Sequence, residues 1–253
     1  MSISADRVIA VRTSKTVYRD GETVLKVFLE NVPGAHVLRE AMNQSLAEEA
    51  GLRVPSLYEV VRLDGKWAIR SRYVRGKTLR QHMESEPERT GEYAALLARL
   101  HAGIHRVRTE QLFSMRNKWI RRIREAPLPE AQRNAMLTEA SAIPEGYALC
   151  HGELTPSNIL LSEEDGEAYI LDWSHAARGF AAADAAMSYL LLRLHDPSGE
   201  QAQSYLQAYC ARRSVSPKTV LRCAAPAAAS VLSNYRDNDR VTLTQYISIG
   251  ENK

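Results

Sequence analysis

Cysteine is scarce in this chain: Cys150, Cys210 and Cys223 are the only three in 253 residues, and they lie far apart. Such spacing gives neither a disulfide framework nor a zinc-ligand pattern, and it fits a reducing cytoplasm, the location expected here. Long apolar runs are missing as well. No stretch approaches the ~18 uninterrupted apolar residues of a membrane span, and the opening MSISADRV lacks the apolar core of a secretory signal. Neither secretion nor a membrane partner is expected. Charge of one sign is not in excess: 33 Lys and Arg against 30 Asp and Glu leave a formal net charge of +3, so there is no bulk electrostatic case for nucleic acid. Internal repeats and low-complexity linkers are absent. What remains is ordinary globular composition, 45% apolar and 25% charged. The length suffices to bury about 70–75% of the unfolded surface, in one large domain or two lobes.

The most informative stretch runs from Leu149 to Ser174, LCHGELTPSNILLSEEDGEAYILDWS. An apolar lead breaks into a loop at His151-Gly152, resumes as a strand over Asn158 to Leu161, and turns at Asp165-Gly166, a strong hairpin signal. A second strand, Ala168 to Leu171, delivers Asp172 at its end. The loop offers His151, Glu153 and Asn158, and the hairpin returns Asp172 beside them. An amide and carboxylates so placed suit Mg²⁺, which takes hard oxygen ligands from one or two carboxylates and from substrate phosphates. The spacing H-x-E-x-x-x-x-N, with an Asp fourteen residues beyond the Asn, matches a kinase catalytic loop followed by its metal-binding Asp.

HGELTPSNIL, followed by ILDW, Gly179 and Asp184, resembles the aminoglycoside phosphotransferase and choline kinase-like superfamily over roughly residues 15 to 195, and more narrowly its small bacterial phosphotransferases. The resemblance implies an α+β, bilobal, protein-kinase-like fold: an N-lobe over residues 1–74, with a five-stranded antiparallel sheet and one helix, binds nucleotide. A larger, mainly helical C-lobe over 75–253 carries the catalytic loop and the acceptor-binding helices. It implies ATP as donor, with GTP an alternative, together with Mg²⁺ on Asn158 and Asp172, and catalysis on Glu153 with His151 beside it. The family carries Asp where this chain has Glu153.

In chain order, strands are expected over Arg7–Val11, Lys15–Arg19 and Thr23–Leu29, with Asp20-Gly21 turning the last two. The turn Arg12-Thr13-Ser14 has no glycine, so the glycine-rich loop of protein kinases is missing; Ser14 and nearby backbone N–H groups would touch phosphates instead. Lys26 reads on its own as an edge-strand charge that discourages aggregation; the resemblance makes it the strand Lys that holds nucleotide phosphates. A helix is expected over Ala35–Ala50, capped by Gly51. By the same resemblance its Glu40, fourteen residues after Lys26, takes the place of the Lys partner, with Glu48 and Glu49 as competitors near the helix end. Strands follow over Leu57–Leu63 and Trp67–Val74. By resemblance the segment Arg72-Tyr73-Val74 is the hinge, where adenine bonds backbone groups; Arg72 replaces the usual Glu.

Helices are expected over Glu92–Ile104, Gln111–Arg124, Glu200–Arg212 and Pro217–Asn234. His101 is read as a packed helix histidine, and Asp184 as the N-cap of the following helix, bracing the catalytic loop as its family counterpart does. The polar tail from Asp237 is expected to fray until the stretch Val241–Ile249. Gln111–Arg124 is basic and amphipathic: a solvated surface helix on its own residues, with membrane-surface or nucleic-acid contact as the alternatives, and by resemblance one of the helices that shape the acceptor pocket.

The expected function is therefore transfer of the ATP γ-phosphate to a hydroxyl of a small molecule, by an enzyme slowed by Glu153, acting as a monomer or weak dimer. The alternative is a nucleotide-binding pseudokinase with a scaffold or sensor role, favoured by Glu153, Arg72 and the missing glycines. A protein kinase is disfavoured, because eleven residues between Asp172 and Asp184 leave no room for a long activation segment. Basic residues outnumber acidic ones over 186–253 and along the helix after Gln111. That weighs against polycationic aminoglycosides, which favour an acidic pocket, and towards a neutral or anionic acceptor.

Overall fold

A computed structural model describes residues 8–196 and 198–251; Arg7, expected to open the first strand, lies outside them. The chain divides into two compact units that are interleaved in sequence: residues 1–81 with 157–175, and residues 82–156 with 176–253.

The first unit is built on a five-stranded antiparallel sheet of β1 (Val8–Val11), β2 (Lys15–Asp20), β3 (Thr23–Phe28), β4 (Leu57–Leu63) and β5 (Lys66–Arg72), in the order β1-β2-β3-β5-β4. Strand alternation sorts its residues by face. Leu25 and Val27 point one way, onto Ala68, Tyr18, Val61 and Leu63. Lys26 and Phe28 point the other way, and Phe28 joins Ile69 under the helix α1 (Gly34–Glu49), which supplies Val37 and Ala41. The register puts Lys15 opposite Phe28 and Val17 opposite Lys26, so Lys15 shares the helix-covered face. Gly51 adopts φ +77° just past the helix end, the left-handed conformation glycine takes most cheaply. The last strand stops at Arg72, short of the expected Val74.

A smaller antiparallel sheet completes this unit: β6 (Gly76–Thr78), β8 (Ile159–Ser162) and β9 (Ala168–Ile170), in the order β6-β8-β9. The hairpin turn at Asp165-Gly166 forms, with Gly166 at φ +71°. Asn158 falls in a 3-10 turn, Pro156–Asn158, and the strand begins one residue after it.

The second unit is mainly helical. It comprises most of α2 (Leu79–Ser85), then α3 (Thr90–Ile104), α4 (Met115–Glu125), α5 (Glu130–Ala142), the short pair β7 (Ala148–Cys150) and β10 (Ala177–Gly179), and α6 (Ala181–His195), α7 (Glu200–Arg213), α8 (Pro217–Leu221), α9 (Ala224–Val231) and α10 (Asp237–Glu251). Helix α6 is buried almost all round and forms the core with α7 and α9. Several elements differ from the sequence expectation. Ser114 caps α4 through its side chain, accepting from Asn117 N, so that helix starts at Met115 rather than Gln111. The expected helix over 217–234 is broken into α8, α9 and a terminal 3-10 turn. The tail does not fray at Asp237; α10 runs unbroken from there, with Leu243 and Ile247 fully buried on one helical row. Helix α5 was not expected at all.

Candidate active site

Four charged side chains meet in the first unit. Glu40, 3% exposed, lies on the face of α1 that turns to the sheet. Its Oε1 accepts from Lys26 Nζ at 2.8 Å. Lys15 Nζ donates to both Glu40 oxygens, at 2.8 and 2.9 Å, and to Asp172 Oδ1 at 3.0 Å. Two ammonium and two carboxylate groups thus balance, with Lys15 and Glu40 buried and Asp172 still partly open to water; an unpaired charge at Lys15 or Glu40 would cost several kcal/mol or more. Burial alone would raise the Asp172 pKa, but Lys26 and Lys15 outweigh it and hold the carboxyl far below the usual range. Burial likewise works against the Lys26 charge, and Glu40 and Asp172 overcome it, so its pKa is raised.

Lys15 has no forecast role in the sequence. Read alone, a Lys opening a polar strand is a solvated charge; only the pairing register with Phe28 places it in the interior, 6% exposed.

Asp172 adopts φ +61°, a left-handed conformation that costs a non-glycine residue of the order of 1 kcal/mol or more. Two contacts hold the backbone on either side of it. Leu171 N–H donates to Asn158 O at 2.8 Å, which brings Asn158 and Asp172 together at the end of the hairpin. Trp173 O accepts from Asn43 Nδ2 at 2.8 Å. Asn43 is one turn along α1 from Glu40, so a single helix face fixes both the lysine partner and the Asp172 backbone. Sequence spacing on that helix could have pointed to Asn43.

An amide oxygen and a carboxylate on neighbouring backbone, beside two ammonium groups, fit Mg²⁺ and nucleotide phosphates. Lys15 already engages Asp172 Oδ1, so a cation there shares that carboxylate with an ammonium group.

Of the remaining nucleotide candidates, Ser14 is exposed and its carbonyl accepts from Leu29 N–H at 3.0 Å. Arg72 N–H donates to Ser56 O and Tyr73 N–H to Glu22 O, both at 2.9 Å. Two backbone donors of the expected hinge are therefore spent on the fold. Val74 is buried, and the Arg72 guanidinium pairs with Glu164 at 3.0 Å.

In the second unit the loop after β7 is braced from below. Asp184, wholly buried, is not the N-cap of α6; that position is Phe180, and Asp184 lies in the first turn. Its carboxylate accepts from His151 N–H at 2.8 Å and Gly152 N–H at 2.9 Å. His101 on α3 and His105, the C-cap of that helix, each place Nε2 on Asp184 Oδ2, at 2.9 and 3.1 Å. Their Nδ1 atoms meet Tyr205 and Tyr209 hydroxyls, both at 2.7 Å. Burial, then the neighbouring His101, lowers the His105 pKa to about 4 against the pull of Asp184. A neutral ring donating from Nε2 and accepting at Nδ1 satisfies every one of these contacts. The three residues bring potential metal-ligand atoms within 4.8 Å of one another, yet each such atom is already used in this brace.

His151, expected in the catalytic group, is fully buried, and its Nδ1 accepts from Glu153 N–H at 3.4 Å. It shapes the loop from inside. Glu153 is half-buried, with the wholly buried Leu154 next to it as an anchor.

A family model described as "Phosphotransferase enzyme family" matches residues 6–219. Among solved structures, the aminoglycoside-3'-phosphotransferase of type VIII is 18% identical, with 94% of this chain and 88% of that one aligned at a TM-score of 0.62. A thermostable mutant of aminoglycoside phosphotransferase APH(4)-Ia, in ternary complex with ADP and hygromycin B, is 16% identical, with 96% and 92% aligned at a TM-score of 0.68. A choline/ethanolamine kinase family protein from Mesorhizobium loti is 16% identical, with 97% and 86% aligned at a TM-score of 0.61. At such identities the likeness is one of fold. No curated protein matches the chain.

Proposed function

Given that the chain belongs to the phosphotransferase enzyme family, we propose that it moves the γ-phosphoryl group of ATP, bound with Mg²⁺, to a hydroxyl of a small molecule. The observation that carries this reading is the buried Lys15–Glu40–Lys26–Asp172 network with Asn158 beside it. Lys26 and Lys15 neutralise donor phosphates, and Glu40 fixes both ammonium heads, which are otherwise costly to order. Asn158 and Asp172 would hold Mg²⁺, which would supply charge neutralisation of the donor phosphates. Adenine is recognised by backbone groups near Val74.

Glu153 orients the acceptor hydroxyl and receives its proton. The bond from the γ-phosphorus to the ADP oxygen breaks, the bond to the acceptor oxygen forms, and ADP leaves. His151 and Asp184 act as positioning residues for that loop. Phosphoryl transfer leans on placement more than on a strong base, so Glu in place of Asp preserves the chemistry. Its extra methylene shifts the carboxylate, and a displacement of ~1 Å can cost roughly 100-fold.

Metal-coupled binding is the direct test. ATP with Mg²⁺ should raise the melting temperature more than ATP alone, by mass action on the folded state, and Asp172→Ala should erase the metal-dependent part. An increment that persists in the variant removes Asp172 from the metal site.

One observation favours a second reading, a nucleotide-binding scaffold: Lys15 already holds the Asp172 carboxylate as a cation would. Single-turnover ATP hydrolysis separates the two. A wild-type rate no faster than that of Glu153→Gln, with no acceptor found in a broad hydroxyl-compound screen, would favour the scaffold.

A further inference from the structure

Lys15 is held more closely than a counter-ion to Glu40 needs to be. Lys26 already pairs with Glu40 at 2.8 Å. An ammonium group has three N–H donors, and those of Lys15 have three acceptors: both Glu40 oxygens, at 2.8 and 2.9 Å, and Asp172 Oδ1 at 3.0 Å. The same Nζ lies over the Phe28 ring, 5.5 Å from its centre. The Lys15 backbone carbonyl accepts from Arg12 N–H at 2.9 Å, at the base of the turn before it. All of these residues belong to the first unit. Lys15 is an anchored cation with every donor in use.

Asp172 is where that cation matters. Its side chain is 30% exposed and that of Glu40 only 4%, so of the two carboxylates Asp172 is the one an ion can reach from water. Two ammonium and two carboxylate charges sum to zero here. A divalent cation arriving alone would make the place doubly positive, and it would meet the Lys15 ammonium on the same carboxylate, where like charges repel. Mg²⁺ also sheds water reluctantly and takes its oxygens from carboxylates together with phosphates. Nucleotide phosphates change the balance. They bring further oxygens for a metal and negative charge for Lys15 and Lys26 to face.

We infer that Lys15 keeps divalent metal off Asp172 until nucleotide is bound, so that metal enters with the nucleotide and not ahead of it. This rests on the phosphotransferase reading above and adds an order of binding to it. Lys15 is here a positioning residue: it balances the Asp172 charge before nucleotide arrives and yields that oxygen when phosphates do. A chain without the Lys15 charge has one ammonium against two carboxylates, and it takes up bare metal.

The test measures binding of Mn²⁺, a paramagnetic stand-in with the same taste for carboxylate oxygen, to the full chain without nucleotide. Loss of the free-ion paramagnetic resonance signal reports binding, and melting is followed in parallel at constant ionic strength. Wild type should bind Mn²⁺ weakly and melt at an unchanged temperature. Lys15→Met should bind it about tenfold or more tightly and gain melting temperature from the metal. Lys15→Gln should do the same, which covers a failure of the first variant to fold. Asp172→Asn added to Lys15→Met should take the gained site away, which separates it from surface acids. Wild type that binds Mn²⁺ as tightly as the variants, or melts higher with metal alone, overturns the inference; so does a gained site that survives Asp172→Asn. The wild-type measurements decide by themselves if neither variant folds. ATP with Mg²⁺ added to wild type tests the parent reading separately: no melting increment there defeats phosphotransfer, while a metal site gained in Lys15→Met stands as it is.

Discussion

Glu40 is the residue on which two buried cations depend, and that asymmetry can be measured. Removing one member of a buried ion pair typically costs about 3–5 kcal/mol, because the other charge is stranded. Glu40→Gln strands Lys15 and Lys26 together, whereas Lys15→Met leaves the Lys26–Glu40 contact at 2.8 Å in place. In urea titrations Glu40→Gln should lower stability by at least about 3 kcal/mol and Lys15→Met by clearly less. Equal losses would show that Lys15 rather than Lys26 is the main partner of Glu40. A double-mutant cycle of Lys26→Met with Glu40→Gln on nucleotide affinity should be non-additive; strict additivity would uncouple the two. The Lys26–Glu40 pair was legible through the family resemblance; the strand pattern by itself reads Lys26 as an edge charge, whereas its strand lies inside the sheet. Lys15 was not legible, since its burial follows from the register between two strands. Asp184 was legible as a brace but not in its place: an Asp ahead of an apolar run reads as a cap, and only the fold shows it one turn inside, aimed at another loop.

At the scale of elements, α3 and α7 are joined by a ladder of like pairs, His101 with Tyr205 and His105 with Tyr209. The ladder carries a pH signature. The ordinary His pKa is about 6.5, and His105 lies at about 4 in the folded protein. Between those values the unfolded chain takes up a proton that the folded one refuses, so this residue's contribution is complete above about pH 6.5 and declines as the pH falls towards 4. The loss is on the order of 3 kcal/mol over that window. Melting followed from pH 7 to 4 should show it, and His105→Gln should flatten the slope there; an unchanged slope would clear His105. The helices α3 and α7 could be read from apolar spacing. Helix α5 could not, for its EAQRNAMLTEASA buries only Met136 and Ala140 and offers too faint a stripe. The tail α10 was misjudged only at its polar start, where the helix begins at Asp237 and not near Val241.

For the molecule as a whole, Asn158 and Asp172 belong to one compact unit and Glu153 to the other, although only four residues separate Glu153 from Asn158. On the proposed reading, Glu153→Gln should therefore cut ATP hydrolysis and transfer sharply, because the group proposed to receive the proton is gone, and it should leave the nucleotide-dependent melting increment intact. A lost increment would mean that Glu153 serves binding instead. The five-stranded sheet and the helical remainder were readable from the sequence, since alternation and turn signals are strong there. The second unit carries a further consequence through its sulfur atoms. Cys150, Cys210 and Cys223 all belong to it, and all are free and buried. Burial raises every one of their pKa values, Cys223 to about 11. The thiolate is the reactive form, so a maleimide or aromatic disulfide reagent meets almost none of it until this unit opens. Labelling speed then reports the opening equilibrium of that unit alone, and a compound that binds there announces itself by slowing the reaction, with no tag, fluorophore or engineered cysteine.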